Sequence, residues 1–263
     1  MYETEWRVLI DECRSAAEHM ALDERLAKDA RPVVRFFTWD PAALSLGWKQ
    51  PPPEWLEVDH WRAGGLELVE RPTGGGIAFH GSDVSIAVTI PRALDLPPKT
   101  LMGAVCESAV GLCGSLGIQA RSLLEDWGEG RITYCLTQPS PYAVFIGERK
   151  IAGFALRRYP TSWLIQGSLL VRPLPPALAQ AIPRDVAEQV RARAVPLAEV
   201  AATPVDERLV IERWAEHWSR WWGAPFRLQA AGCPGPPLTR AGAGKLQEPE
   251  AWSLQLEVQQ SAR

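Results

Sequence analysis

A cysteine, a lysine and a run of three glycines are the parts of this chain with chemistry to offer. Cys135 opens Cys135-Leu136-Thr137-Gln138-Pro139-Ser140-Pro141-Tyr142. That stretch reads as a loop, and loops carried on a sheet are where reactive groups concentrate. Lys150 follows in Arg149-Lys150-Ile151-Ala152-Gly153. This is the return arm of a hairpin whose outgoing arm is 142–146 and whose turn is Gly147-Glu148. If the arms pair, Lys150 can point into the cleft beside Cys135, and Gly153 admits a close neighbour. A thiol is a weak nucleophile near pH 7 until a base or cation favours the thiolate. A buried lysine can serve as that base, because burial lowers its pKa. The plainer reading stays open at this point: Cys135 as a small core residue and Lys150 as a solvated strand charge.

The second constellation is Glu70-Arg71-Pro72-Thr73-Gly74-Gly75-Gly76-Ile77-Ala78-Phe79-His80. Three glycines offer no side chain to pack. They permit positive φ and close approach by another group. Leu66 to Val69 alternates weakly before them, and 84–90 alternates apolar and small residues after them. The pattern predicts a strand–loop–strand hairpin with Arg71 on one side and His80 on the other. A bare backbone beside a cation suits a ligand with an anionic group or a carbonyl. A simple turn is the alternative. The Gly-Lys-Ser/Thr ending of a phosphate loop and the G-x-G-x-x-G dinucleotide spacing are both absent.

The elements that must position these groups are legible from periodicity. Helical spacing over 16–26, with Ser15 and Glu18 as a capping box, predicts a first helix ended by Pro32. Strands are expected at 33–39 and 43–48, then a helix over 53–63 stopped by Gly64-Gly65. A long helix is expected over 99–116, a strand or strand end at 133–136, and strands at 150–156 and 162–171. Residues 177–222 are helical in pattern, broken at Pro183, Pro196 and Pro204. The expected class is α+β, a mixed and largely antiparallel sheet flanked by helices. The expected division is a catalytic domain over 1–225 and an extension over 226–263, rich in Gly and Pro and possessing the composition of a flexible tail.

The chain has 263 residues, 46% hydrophobic and 22% charged, which is the composition of a packed globular domain. A net charge of −3 argues against nucleic-acid binding by bulk electrostatics. No apolar run approaches the roughly 20 residues of a membrane span, and no secretory leader is evident. A cytoplasmic location is expected. The five cysteines include no C-x-x-C pair, so neither a zinc site nor a disulfide framework is suggested. Cys106 and Cys113 fit an apolar helix face.

Taken together, Arg71-Pro72-Thr73-Gly74-Gly75-Gly76…His80, Arg149-Lys150-Ile151-Ala152-Gly153 and Gln166-Gly167-Ser168-Leu169 resemble the catalytic domain of the biotin/lipoate protein ligase family. Met20-Ala21-Leu22-Asp23-Glu24 and Arg35-Phe36-Phe37-Thr38-Trp39 resemble its lipoate branch. The likeness covers roughly 5–225, and within the branch the octanoyltransferase type fits best. Two departures stand out: Glu70 where an arginine is usual, and Phe154-Ala155-Leu156 where Ser-Ala-Gln is usual.

The resemblance implies transfer of an octanoyl or lipoyl group from acyl carrier protein to a lysine of a lipoyl domain, such as glycine cleavage H protein. Cys135 would be the nucleophile and Lys150 its base. Arg71, Thr73, Gly74, Gly75, Gly76, His80, Gly153, Phe154, Ala155 and Gly167 would contact the acyl group or substrate, with His80 holding the loop by hydrogen bonding. Such a transferase uses no cofactor and no metal. Two alternatives remain at this stage. One is a lipoate ligase using ATP and Mg²⁺, with Arg71 and Lys150 on an acyl-adenylate. The other is a non-catalytic binder of lipoyl domains or acyl carriers.

Overall fold

Ser15 starts the first helix in the way its spacing to Glu18 implies. In the computed structural model, which describes residues 6–11, 14–124, 132–222 and 227–230, α1 spans Ala16–Asp29. The Glu18 N–H donates to Ser15 Oγ at 3.3 Å and the Ser15 N–H donates to the Glu18 carboxylate at 2.9 Å. The reciprocal bonds satisfy donors that a bare helix end leaves unpaired. The helix ends at Ala30 in the left-handed conformation, two residues before Pro32.

The strands are β1 (Arg7–Asp11), β2 (Val33–Phe37), β3 (Ala43–Leu46), β4 (Glu67–Glu70), β5 (Ala78–His80), β6 (Asp83–Pro91), β7 (Arg121–Leu123), β8 (Ala143–Ile146), β9 (Arg149–Arg158), β10 (Ser162–Leu170) and β11 (Arg227–Ala230). Eight of them form one sheet in the order β11-β1-β2-β6-β10-β9-β8-β7. β1 runs parallel to both neighbours, and every other pairing in this sheet is antiparallel. The α+β class and the largely antiparallel sheet are as expected. β11 lies beyond residue 225 yet pairs with β1. The rest of the expected extension, residue 226 and 231–263, lies outside the described residues.

The period of two sorts the central strands into two faces. Val84, Ile86 and Val88 of β6 pair with Leu169, Gly167 and Ile165 of β10. These apolar residues pack with α3 (Pro98–Ser115) and α7 (Glu207–Trp222) into the main core. Trp214 of α7 is fully buried there, and its Nε1–H donates to Ser108 Oγ at 2.9 Å. Truncating such a residue costs about 3–5 kcal/mol. Ser85, Gln166 and Ser168 take the opposite face, toward α1 and a second sheet of β4-β3-β5. The candidate site lies on that polar-flecked face.

Three local expectations differ from the structure. The glycine stretch is not a hairpin. β3 lies between β4 and β5, parallel to the first and antiparallel to the second, so the loop crosses the end of β3. The helix expected over 53–63 shrinks to α2 (Val58–Ala63). The chain after Pro51-Pro52-Pro53 first makes a turn, with the Leu56 N–H donating to Pro53 O at 3.0 Å. Residues 133–136 form no strand and contribute one isolated bridge, Tyr134 to Ile77. The C-terminal helical region divides into α4 (Pro176–Ala181), α5 (Arg184–Arg193), α6 (Leu197–Val200) and α7, with breaks at the expected prolines.

Candidate active site

Cys135 is held by backbone pairing rather than by its own packing. Its N–H donates to Ile77 O at 2.8 Å, and the Ile77 N–H donates to Thr133 O at 2.7 Å. The cysteine loop is thus laced to the exit of the glycine loop. The sulfur is half-buried, 3.3 Å from Gly76 O and 3.5 Å from Arg71 NH2. Cys106 and Cys113 are different: both are fully buried in α3, and burial pushes each thiol up to about 12. They are inert core residues, as expected.

A β-bulge aims Lys150 at the same cavity. The β8–β9 ladder steps from Val144↔Ala152 to Phe145↔Lys150, which leaves Ile151 as an extra residue. An inserted residue reverses the alternation of faces. Lys150 therefore shares the Gly153 face instead of pointing at α3. A Cβ at residue 153 would lie 2.9 Å from Lys150 Cε, so the glycine is what gives the side chain room. Nζ donates to Ser140 Oγ at 2.7 Å and to Gln138 O at 3.4 Å. The ammonium is buried and has no carboxylate partner among the described residues. Burial pushes it down to about 8, and the charges of Cys135 and Cys106 pull it partly back. An amine in that range can take and return protons near neutrality.

Arg71 braces the loop. NH1 donates to Ser45 O and Ser45 Oγ, each at 3.1 Å. NH2 donates to Gly74 O at 2.9 Å and Gly76 O at 2.7 Å. Gly75 sits at φ +101, where an L-residue is strained. A Cβ there would stand 2.8 Å from Arg71 NH2 and 3.7 Å from Cys135 Sγ. No acceptor among the described residues meets the N–H groups of Gly74 or Gly75.

His80 braces the same corner. Nδ1 is 2.8 Å from Asp83 Oδ2 and Nε2 is 2.8 Å from Ser45 Oγ. Burial pushes the Asp83 carboxyl up, but His80, Ser168 and the Gly81 N–H outweigh it and hold it below the usual carboxylate range. A chain of hydrogen bonds thus runs from Asp83 through His80, Ser45 and Arg71 to the sulfur.

Together these groups border a cavity of about 180 Å³ whose walls include Met20, Phe37, Trp39, Phe79 and Leu136. Cys135, Lys150, Arg71, Gly74, Gly75, His80, Gly153, Phe154, Ala155 and Gly167 all border it. Thr73 and Gly76 do not. Thr73 is fully buried behind the loop and gives its hydroxyl to Gln166 Oε1 at 2.8 Å. Gly76 contributes its carbonyl to Arg71. Phe154 borders the cavity but its ring does not plug it. The ring fills the space that Gly167 leaves and meets Trp214 edge-on at 6.2 Å, in the main core. Ser45, Asp83 and Ser140 complete the site, and the sequence alone does not single them out. Asp83 carried one signal, its three-residue spacing from His80.

A thiol, a depressed amine and free N–H donors around an apolar slot define a site suited to acyl groups. The family model for the lipoyl protein ligase A/B catalytic domain matches residues 15–219. The octanoyltransferase LipM of Symbiobacterium thermophilum is 32% identical over 235 residues, covering 81% of this chain and 82% of the relative. Lipoate-protein ligase A bound with ATP superposes with a TM-score of 0.70 at 22% identity, over 87% of this chain and 90% of that one. The bipartite lipoate protein ligase of Thermoplasma acidophilum, described with its E2 lipoyl domain, gives a TM-score of 0.68 at 23% identity, over 88% of each chain. The chain belongs to the lipoyl protein ligase A/B catalytic-domain family.

Proposed function

We propose that this protein is an octanoyltransferase of lipoate biosynthesis. It moves an octanoyl or lipoyl group from acyl carrier protein to a lysine of a lipoyl domain, such as glycine cleavage H protein, through a thioester on Cys135. The observation that carries this reading is the meeting of Cys135 and Lys150 at one apolar cavity beside the glycine loop. The likeness to octanoyltransferases over four-fifths of the chain supports it.

Lys150 takes the thiol proton, and the sulfur attacks the acyl thioester of the carrier. The bond to the carrier sulfur breaks and that sulfur leaves as a thiol. The amine of the lipoyl domain then attacks the Cys135 thioester, giving an amide and regenerating the thiol. The N–H groups of Gly74 and Gly75 stabilise the tetrahedral oxyanion; removing one such donor typically costs about 10²–10³ in rate. The apolar wall holds the chain at about 0.8 kcal/mol per methylene. The catalytic unit spans 1–225 with the edge strand at 227–230, acts in the cytoplasm, and needs no cofactor.

A Cys135→Ala variant is expected to lose octanoyl transfer to a lipoyl domain entirely while keeping its fold. Full transfer in that variant contradicts the covalent route. The likeness to an ATP-bound ligase favours one second reading, an ATP-dependent lipoate ligase in which Cys135 is incidental. Lipoylation from free lipoate, strictly dependent on ATP and Mg²⁺, decides for it.

A further inference from the structure

Arg71 is a buried cation whose charge no acidic side chain among the described residues balances. It is 8% exposed. No carboxylate among the described residues reaches its guanidinium. Its partners are three carbonyl oxygens, one hydroxyl and the Cys135 sulfur. Arginine keeps its charge at any physiological pH, and a buried charge is costly until an opposite charge meets it. Of those five partners only the sulfur can become anionic. Gly75 leaves the space between guanidinium and sulfur free of side chain. Lys150 is placed differently: its Nζ bonds Ser140 and Gln138, not the sulfur.

We propose that Arg71 is a catalytic residue of the acyl transfer, with its guanidinium carrying the negative charge of the Cys135 sulfur as that sulfur attacks and again as it leaves. Lys150 is then the proton carrier alone. In the first half-reaction the Cys135 proton passes to neutral Lys150. The C–Sγ bond forms, the bond to the donor sulfur breaks, and the donor thiolate takes the proton from Lys150. In the second half-reaction the C–N bond forms and C–Sγ breaks. The amine gives its proton to Lys150, and the thiolate returns to Arg71 until Lys150 reprotonates it. The hydrogen bonds that the guanidinium donates to Ser45 and to two loop carbonyls hold it in place for both steps. The proposal rests on Cys135 being the nucleophile.

The test is the rate at which iodoacetamide alkylates Cys135 in the full chain, followed by peptide mass mapping from pH 5.5 to 9.5. Arg71→Met is expected to slow alkylation at least tenfold at pH 7 and to approach the wild-type rate above pH 9. Lys150→Met is expected to stay within about threefold of wild type in alkylation at pH 7 while octanoyl transfer falls at least a hundredfold. Loss of alkylation in Lys150→Met together with a wild-type profile in Arg71→Met overturns the assignment. The Lys150→Met arm alone decides if Arg71→Met does not fold, because a thiolate held by lysine loses both readouts together. Octanoyl-carrier protein mixed with wild-type enzyme separates the two levels. No octanoyl adduct there refutes Cys135 as nucleophile, whereas an adduct with unchanged alkylation in Arg71→Met refutes only the role of Arg71.

Discussion

Arg35 and Arg71 are both removed from solvent, at 0% and 8% exposure, and they are treated in opposite ways. Arg35 lies under α1 between two acids, with NH1 2.6 Å from Asp23 and NH2 3.2 Å from Asp11. It also contacts the His19 ring and stacks on Phe37 at 4.0 Å. Burial, reinforced by Arg35, pushes His19 down to about 3, so that ring stays neutral. Burial pushes the Asp23 carboxyl up, and Arg35 pulls it back. The other Asp23 oxygen accepts from Gln166 Nε2 at 2.7 Å, and Gln166 holds Thr73. This balanced cluster anchors one flank of the glycine loop. Arg71 holds the other flank and meets no acid among the described residues. A cation supplied with its counterions stabilises a fold, while a cation left without one is available to a charge that appears during reaction.

The largest expected difference is in stability. Arg35→Met leaves two buried acids without their cation and should cost about 3–5 kcal/mol, read as a drop in Tm. Arg71→Met strands no carboxylate and should cost clearly less. Equal losses would erase the contrast between the two arginines.

Lys150→Met comes next and should move two readouts in opposite directions. Transfer should fall about 10²–10⁴-fold, the usual contribution of a positioned proton carrier. Stability at pH 7 should rise, because the folded protein holds this ammonium at about 8 against 10.5 ordinarily. The unfolded chain binds that proton more tightly, so wild-type stability should climb between pH 8 and 10.5. The penalty removed at pH 7 is at most roughly 3 kcal/mol. A destabilised Lys150→Met protein would contradict the burial argument. The same group predicts that transfer in the wild type rises toward pH 8 and then levels.

Much of this arrangement was readable from the chain. The capping box at Ser15 and Glu18, the long helix with Cys106 and Cys113 inside, and the alternation of β6 follow from local spacing, which a sequence displays directly. What escaped depends on distant partners. β3 inserts between the strands flanking the glycines, and nothing in residues 66–80 announces a third strand. The bulge at Ile151 that re-aims Lys150 is a mismatch between two strands. Arg71 is legible as a cation beside the glycines, but only the fold brings its four neutral oxygen partners to it. Phe154 reads as bulk in the slot until Gly167 and Trp214 show where its ring goes.

That last pair gives a smaller prediction. A Cβ at residue 167 would overlap the Phe154 ring, so Gly167→Ala should cost about 1–3 kcal/mol through overpacking. Phe154→Ala in the same chain should recover part of it, measured by denaturant midpoint. An additive double variant would mean that the ring is not seated there. Smallest of all, His80→Asn should lower transfer roughly tenfold, about 1.4 kcal/mol, by loosening Ser45 and through it Arg71. Its melting temperature should change by only a few degrees. A loss as large as that of Lys150→Met would make His80 a proton carrier instead of a brace.

The most direct measurement is intact-mass spectrometry of the wild-type chain after brief mixing with octanoyl-carrier protein, without ATP. One octanoyl group should appear on Cys135, vanish on addition of a lipoyl domain, and reappear as an amide on that domain's lysine. Octanoylation of the lipoyl domain with no acyl group ever detected on Cys135 would contradict the account.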